Sequence, residues 1–326
     1  MRIHIQNQDD DPPYLFTRAQ WEAAVARAPG IGAGHVVSFG TTEQDFVTAM
    51  ADAEALITNN AAIIGLFPVA APQLELMFIA LAGLDGLAPY DWLPPGVILL
   101  NNSGAHSDKA GEFAIMAVLM LANRIPRFVT SQRAGLWRKE WGTTLRGRRV
   151  TIVGLGGLGG AAAMQCARFG MHVAGVRTTA VPHQHCAEVI ATENLDDVLE
   201  QTEFLVLACP LTPATHNLLD RRRLALLPRG AGVVNIARGA LLDQNALCDL
   251  LDADRLGGAV LDVFTHEPIP DGDRLWSTPN LIVSPHTSAD DPASYNAASL
   301  HIFFDNLRAL HEGRPLPNLF DPARGY

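Results

Sequence analysis

The chain has 326 residues, of which 48% are hydrophobic and 18% charged, and its formal net charge is −10. That length exceeds one comfortable core and predicts about two domains. The acidic balance excludes the strongly basic face that a nucleic-acid or anionic-membrane partner requires.

Short apolar runs alternate with helical patterns through the first hundred residues. Ile3–Ile5, Val36–Phe39, Ala55–Thr58, Leu76–Ala80 and Val97–Leu100 read as strands. Thr17–Ala28, Glu43–Ala51 and Ile63–Ala71 read as helices or helical turns between them. Such alternation predicts a parallel sheet with crossover helices. A long helix, Ser107 to Arg124, is apolar on most faces and is expected to pack on both sides. Trp137 and Trp141 stand four apart on one possible helical face, where core or dimer packing is the default.

A second α/β unit starts at Arg149. Val150–Val153 is a strand, followed by a glycine-rich turn and a helix, Gly159–Phe169. Later strands are expected at Val173–Val176, Phe204–Ala208, Gly232–Ile236, Ala259–Asp262 and Leu281–Val283, and a final amphipathic helix at Ser294 to Glu312. Arg221–Arg223 reads as the solvated start of a helix. No targeting segment is expected: MRIHIQNQDDD lacks a signal peptide's apolar core, and the longest clean apolar run, Ala114 to Ala122, is too short for a membrane span. Cys166, Cys186, Cys209 and Cys248 form no CxxC pair, which predicts reduced thiols in a cytoplasmic protein. His183-Gln184-His185-Cys186 reads as a loop after a strand, not as a metal site.

Residues 150 to 160 read VTIVGLGGLGG. Gly154, Gly156 and Gly159 supply G-x-G-x-x-G after a strand and at the head of a helix. Gly154 permits a tight turn, Gly156 lets backbone approach a pyrophosphate, and Gly159 lets helix and strand pack closely. The amides of Gly157 and Leu158 would then face the phosphates of a dinucleotide.

A fold of this kind that prefers NAD carries Asp or Glu about twenty residues further on, to accept from the ribose 2′-hydroxyl. This chain has no acidic residue from Thr151 to Ala187. Arg177 stands at the end of the second strand, followed by Thr178 and Thr179. An arginine there can pair with a 2′-phosphate, and both hydroxyls can donate to it. NADP(H) is therefore the favoured cofactor, with NAD(H) as the alternative.

Three further stretches, VVNIARGALLD at 233–243, VLDVFTHEP at 260–268 and PNLIVSPHT at 279–287, place Arg238, Glu267 and His286 just past the carboxyl ends of expected parallel strands. Ligands of open α/β sheets bind there. With these residues the chain resembles the D-isomer-specific 2-hydroxyacid dehydrogenases, in particular the glyoxylate/hydroxypyruvate reductase-like and broad 2-ketoacid reductase group. Family-like segments follow in family order: AGLDGL at 82–87, NNSGAHSDKAGEF at 101–113, VGLGGLG at 153–159, CPLTPATHNLL at 209–219, NIARGALLD at 235–243, LDVFTHEP at 261–268, SPHTS at 284–288 and DNLRALHEGRPLPN at 305–318.

The resemblance implies an α/β fold of two doubly wound parallel-sheet domains, Rossmann- and flavodoxin-like, with an interdomain cleft. Residues 1–102 plus 289–326 would form the substrate domain and 103–288 the dinucleotide domain. It implies reduction of a small 2-keto acid to a D-2-hydroxy acid and a homodimer. Arg238 would fork across the substrate's carboxylate and carbonyl, and His286 would donate the proton. Glu267 would aim the imidazole and stabilise its charge. The backbone at Ala82-Gly83 would hold the carboxylate, and Asp262 would contact the nicotinamide amide. Cys209-Pro210 and Thr215, with Ile236-Ala237, would line the cofactor's adenine and nicotinamide ends. Asn59–Ala62 and Leu81 would set substrate size. His266 is a rival base, and His106 is either a pocket wall or a surface residue. Some family relatives act as NAD(H)-sensing corepressors or scaffolds, the alternative to an enzyme.

Overall fold

Every pairing between the named strands is parallel, and the strand residues sort by parity onto two apolar faces. The computed structural model describes residues 1–8, 14–59, 61–67 and 69–326, with the backbone alone at 62. The chain divides into two compact units, Met1–Ala105 with Asp291–Tyr326, and His106–Asp290.

The first unit holds β1 (Arg2–Gln6), α1 (Arg18–Arg27), β2 (Val36–Gly40), α2 (Glu43–Met50), β3 (Ala55–Thr58), β4 (Leu76–Ile79) and β5 (Ile98–Leu100). Its sheet has the order β2-β1-β3-β4-β5. Thr17 and Thr42 start the two helices with reciprocal capping boxes to Gln20 and Asp45. Ile3, Ile5, Ile57 and Phe78 fill one face of the sheet, while Leu56, Met77, Ile79 and Leu99 fill the other. Period two puts neighbours in a strand on opposite faces, so a sheet covered on both sides needs apolar residues at every position. The C-terminal helix Tyr295–His311 returns to cover the first face, stacking Phe303 and Phe304 on Trp21.

The second unit opens with α3 (Ser107–Ala122) and α4 (Ile125–Arg133). Then follow β6 (Arg149–Val153), α5 (Gly157–Arg168), β7 (His172–Arg177), β8 (Glu188–Ala191), α6 (Leu195–Leu199), β9 (Phe204–Leu207), α7 (Arg221–Leu226), β10 (Gly232–Asn235), α8 (Gln244–Asp252), β11 (Gly258–Leu261) and β12 (Leu281–Val283). The helix at Tyr295–His311 is α9. The sheet order β8-β7-β6-β9-β10-β11-β12 reverses direction between β6 and β9. Strand order reverses at such a point and leaves a crevice outside the carboxyl ends, where open α/β sheets bind ligands. Val206 and Val234 face α3 and α5, while Leu205, Leu207 and Val233 face α6 to α8.

Several expectations are corrected. The Ser107–Arg124 helix ends at Ala122, because Arg124 is left-handed at φ 60° and the chain restarts as α4 at a 65° bend with Pro126 in its first turn. Trp137 and Trp141 are not on a helix and are 92% and 83% exposed. Their segment carries Gly135 at φ 66° and is tied back by Thr143 N donating to Ala122 O at 3.0 Å. Ile63–Ala71 becomes a shorter 3-10 helix, Ala61–Leu66, since the residue before Pro68 disfavours helical backbone. Helix α4 and strand β8 are absent from the sequence reading, and β8 is a half-exposed edge with one hydrogen-bonded neighbour.

Phe303 is fully buried against Trp21, Phe78 and Phe304. Phe303→Ala is expected to destabilise the first unit by about 3–5 kcal/mol, checked by denaturant unfolding. Unchanged stability would mean that α9 does not close this core.

Candidate active site

The turn after β6 is held by glycines that no other residue could replace without displacement. Gly154 sits at φ 93°, and a Cβ there would lie 2.6 Å from Cys209 N. Glycine tolerates that backbone and that approach. A Cβ on Gly159 would lie 1.8 Å from Gly154 O, so the start of α5 is pressed onto the turn. A Cβ on Gly156 meets nothing within 4 Å. The turn is thus tight behind and open in front, which fits a pyrophosphate brought to the amides of Gly157 and Leu158. Cys209 is buried beneath it and Pro210 is exposed beside it. Thr215 closes the following turn, donating to Pro210 O at 2.7 Å and accepting from Thr212 N at 2.8 Å.

Arg177 ends β7 with its side chain exposed, and Thr178 and Thr179 follow, also exposed. Among the described residues Arg177 makes no ion pair. It ends the strand that pairs with β6, the place where dinucleotide-binding folds carry the residue that reads the ribose 2′-position.

The polar triad is assembled by three strand ends. Beyond β10, Ile236 and Ala237 are buried, and Asn235 stitches the turn by accepting from Ala237 N at 3.1 Å and donating to Arg238 O at 2.9 Å. Arg238 Nη1 donates to Ala237 O at 2.8 Å. The next residue is decisive: a Cβ on Gly239 would lie 2.0 Å from the carbonyl carbon of Phe264. Backbone therefore rests on backbone, and the Arg238 turn lies against the loop that carries Glu267.

Beyond β11, Asp262 is 1% exposed. Its carboxylate accepts from Ser284 Oγ at 2.6 Å and from the amides of Thr287 and Ser288 at 3.0 Å each. His286 N also donates to Asp262 O at 2.9 Å. Asp262 thus shapes the turn that presents His286, whose φ of 55° lies in the left-handed region that few residues other than glycine adopt. Such backbone persists where the surroundings over-determine it. His286 Nδ1 and Glu267 Oε2 are 2.6 Å apart, and Glu267 Oε1 accepts from Phe264 N at 2.8 Å. A carboxylate only accepts, so Nδ1 carries hydrogen and Nε2 is the atom left for a substrate.

His266 lines a different cavity of about 290 Å³, with His216, Asp243 and Arg274. His106 precedes α3 and bonds Ala289 O at 2.8 Å through Nδ1. In the first unit, Ala82 and Gly83 follow β4 in a loop pinned by Tyr295 Oη to Ala80 O and by Asn102 N to Leu81 O. Asn59 donates to Tyr14 O, while Asn60 and the side chain of Ala62 lie outside the described residues. No group of three His, Cys, Asp or Glu side chains among the described residues could hold a metal. What sequence reasoning missed is Gly239, whose only signal was a glycine directly after the arginine.

Comparisons with known proteins bear on the family and the fold. Residues 115–288, just over half of the chain, match the D-isomer specific 2-hydroxyacid dehydrogenase NAD binding domain. The chain belongs to that family. A glyoxylate/hydroxypyruvate reductase of Arabidopsis thaliana is 30% identical over 253 residues, covering 75% of this chain and 76% of the relative. A D-3-phosphoglycerate dehydrogenase of Mycobacterium tuberculosis (strain H37Rv) is 29% identical over 88% of this chain. Against that relative the chain spans about half of the length, 54%. A D-isomer specific 2-hydroxyacid dehydrogenase from Xanthobacter autotrophicus Py2, solved with NADPH and MES, is 29% identical, covers 99% of each chain and superposes with a TM-score of 0.80. The two-domain parallel-sheet architecture is that of this family.

Burial pushes the Cys209 thiol up to about 12 and that of half-buried Cys186 up to about 11. Neither is a ready nucleophile near neutral pH. Iodoacetamide labelling of Cys186 at pH 8, followed by mass spectrometry, should run about a hundredfold slower than for an unperturbed thiol and quicken tenfold per pH unit. Labelling at the free-thiol rate would show that the sulfur is not packed as described.

Proposed function

We propose that this protein uses NADPH to reduce a small 2-keto acid to its D-2-hydroxy acid. The observation that carries the reading is the 2.6 Å His286–Glu267 bond, set in a loop against which Gly239 presses the Arg238 turn. The guanidinium of Arg238 binds the substrate's carboxylate and the keto oxygen, as a planar fork suits. Bound NADPH supplies the hydride that the keto carbon receives. His286 Nε2 gives a proton to the keto oxygen as charge builds there, and solvent later restores it. Glu267 holds Nδ1–H throughout, fixing the ring's direction.

The choice of NADPH is supported by the exposed Arg177 at the end of β7 and by the lack of any acidic residue from Thr151 to Ala187. The Xanthobacter relative was solved with NADPH. The loop at Gly154–Gly159 would hold the pyrophosphate.

Initial rates with glyoxylate, hydroxypyruvate, pyruvate and phenylpyruvate test the reaction. His286→Ala should lower kcat by roughly 10²–10⁴-fold, the usual contribution of a general acid. Arg238→Ala should remove most of kcat/KM, at least about thirtyfold, as loss of a charge-paired partner does. Glu267→Gln should lower kcat while leaving the KM for NADPH in place. Wild-type rates in Arg238→Ala or His286→Ala would overturn the mechanism. Binding of NADPH and NADH without turnover of any 2-keto acid would favour a corepressor- or scaffold-like role.

Cofactor choice is tested separately. Arg177→Ala should raise the KM for NADPH roughly ten- to hundredfold and leave that for NADH nearly constant. Equal effects on both would remove Arg177 from the 2′-phosphate site.

A further inference from the structure

The loop that leaves β7 at Arg177 folds back onto the start of α5, and it does so through His183. The Nε2 atom of His183 lies 3.4 Å from where a Cβ on Gly160 would stand, so the imidazole covers the first turn of the helix that opens with the glycine cradle. Glycine at 160 leaves the room for the ring. The loop is anchored by Cys186, whose sulfur lies 3.0 Å from the Cβ position of Gly175, beside Leu155. Cys186 N donates to His183 O at 3.0 Å, closing the turn.

This turn also fixes the ring's tautomer. His185 N donates to His183 Nδ1 at 3.3 Å, and Cys186 Sγ is 3.7 Å from the same nitrogen. An atom that accepts from an amide carries no hydrogen, so the neutral ring bears its hydrogen on Nε2. The titratable and charged groups facing the ring are His185, Arg177 and the Cys186 thiol. Burial, followed by the nearby His185 and Arg177, holds the imidazole below its ordinary range, which leaves it neutral at pH 7. The ring is thus an uncharged N–H donor that lies against Gly160 in the first turn of α5 and within electrostatic reach of Arg177.

We propose that His183 is a specificity-determining contact of this chain, donating from Nε2 to the ribose 2′-phosphate alongside Arg177. The proposal rests on the NADPH reading above and adds a second reader of the same group. It explains two features that the arginine alone does not. Gly160 keeps the helix face clear for the ring, and the His183–Cys186 turn engages Nδ1, which leaves Nε2 as the nitrogen that carries hydrogen. A neutral donor also works across the neutral and alkaline range, where a histidine dependent on protonation would fail.

The test uses adenosine 2′,5′-bisphosphate and 5′-AMP as probes, with binding measured by calorimetry on the full chain. Wild type should bind the bisphosphate more tightly than 5′-AMP. His183→Ala should weaken the bisphosphate by roughly tenfold and 5′-AMP little, and His183→Gln, which keeps an N–H donor, should recover part of the loss. Nitrogen-15 NMR of the histidine rings should show His183 in the Nε2–H form at pH 7.5. Equal losses for both probes, or an Nδ1–H ring, would overturn the assignment. If wild type discriminates and Arg177→Ala abolishes the discrimination while His183→Ala preserves it, His183 fails and the NADPH reading stands. If wild type does not discriminate at all, both fall.

Discussion

The candidate site depends on one buried carboxylate. Asp262 is buried, and three donors from the Ser284–Ser288 turn take the place that solvent would otherwise fill. A buried anion without those partners would be costly by several kcal/mol. The turn therefore cannot relax without exposing an unmet charge, and His286 is presented on a backbone that has one favourable path. Gly239 supplies the matching constraint from the side of β10, since only a residue without Cβ lets that turn lie on Phe264. Arg238, Glu267 and His286 come from three strands, yet two backbone-level constraints fix them.

The nucleotide end follows the same logic with a different material. There glycines, not a carboxylate, set the geometry: Gly154 and Gly159 close the turn, and Gly160 and Gly175 leave room for the loop that carries His183 and Cys186. Polar groups stand at the perimeter, on Arg177, Thr178 and Thr179. The glycine turn thus sits beside a periphery in which this chain places a cation and hydroxyls.

Much of this was legible in the sequence because parallel sheets buried on both faces leave continuous apolar runs. β3, β9, β10 and β12 stand nearly where their runs predict. Arg238, Glu267 and His286 were legible from their places past strand ends, together with the family resemblance. The misreadings have physical causes. β8 is a partly exposed edge strand, and its apolar run, Val189–Ala191, is short and flanked by acidic residues. Trp137 and Trp141 have helical spacing, but spacing says nothing about the glycines that keep the backbone out of a helix. Asp262 read as a ligand contact, and the fold also gives it a structural role, because hydrogen bonds to the Ser284–Ser288 turn connect residues more than twenty positions apart.

The left-handed backbone of His286 has one further implication. Its amide is bound to Asp262 O and its ring nitrogen to Glu267, so neither the main chain nor the ring is free to rotate before a substrate arrives. The loss of conformational freedom falls on folding and not on turnover. If His286 acts as proposed, an Eyring analysis should then show a small activation entropy for the proton transfer, its temperature dependence set by bond-making enthalpy.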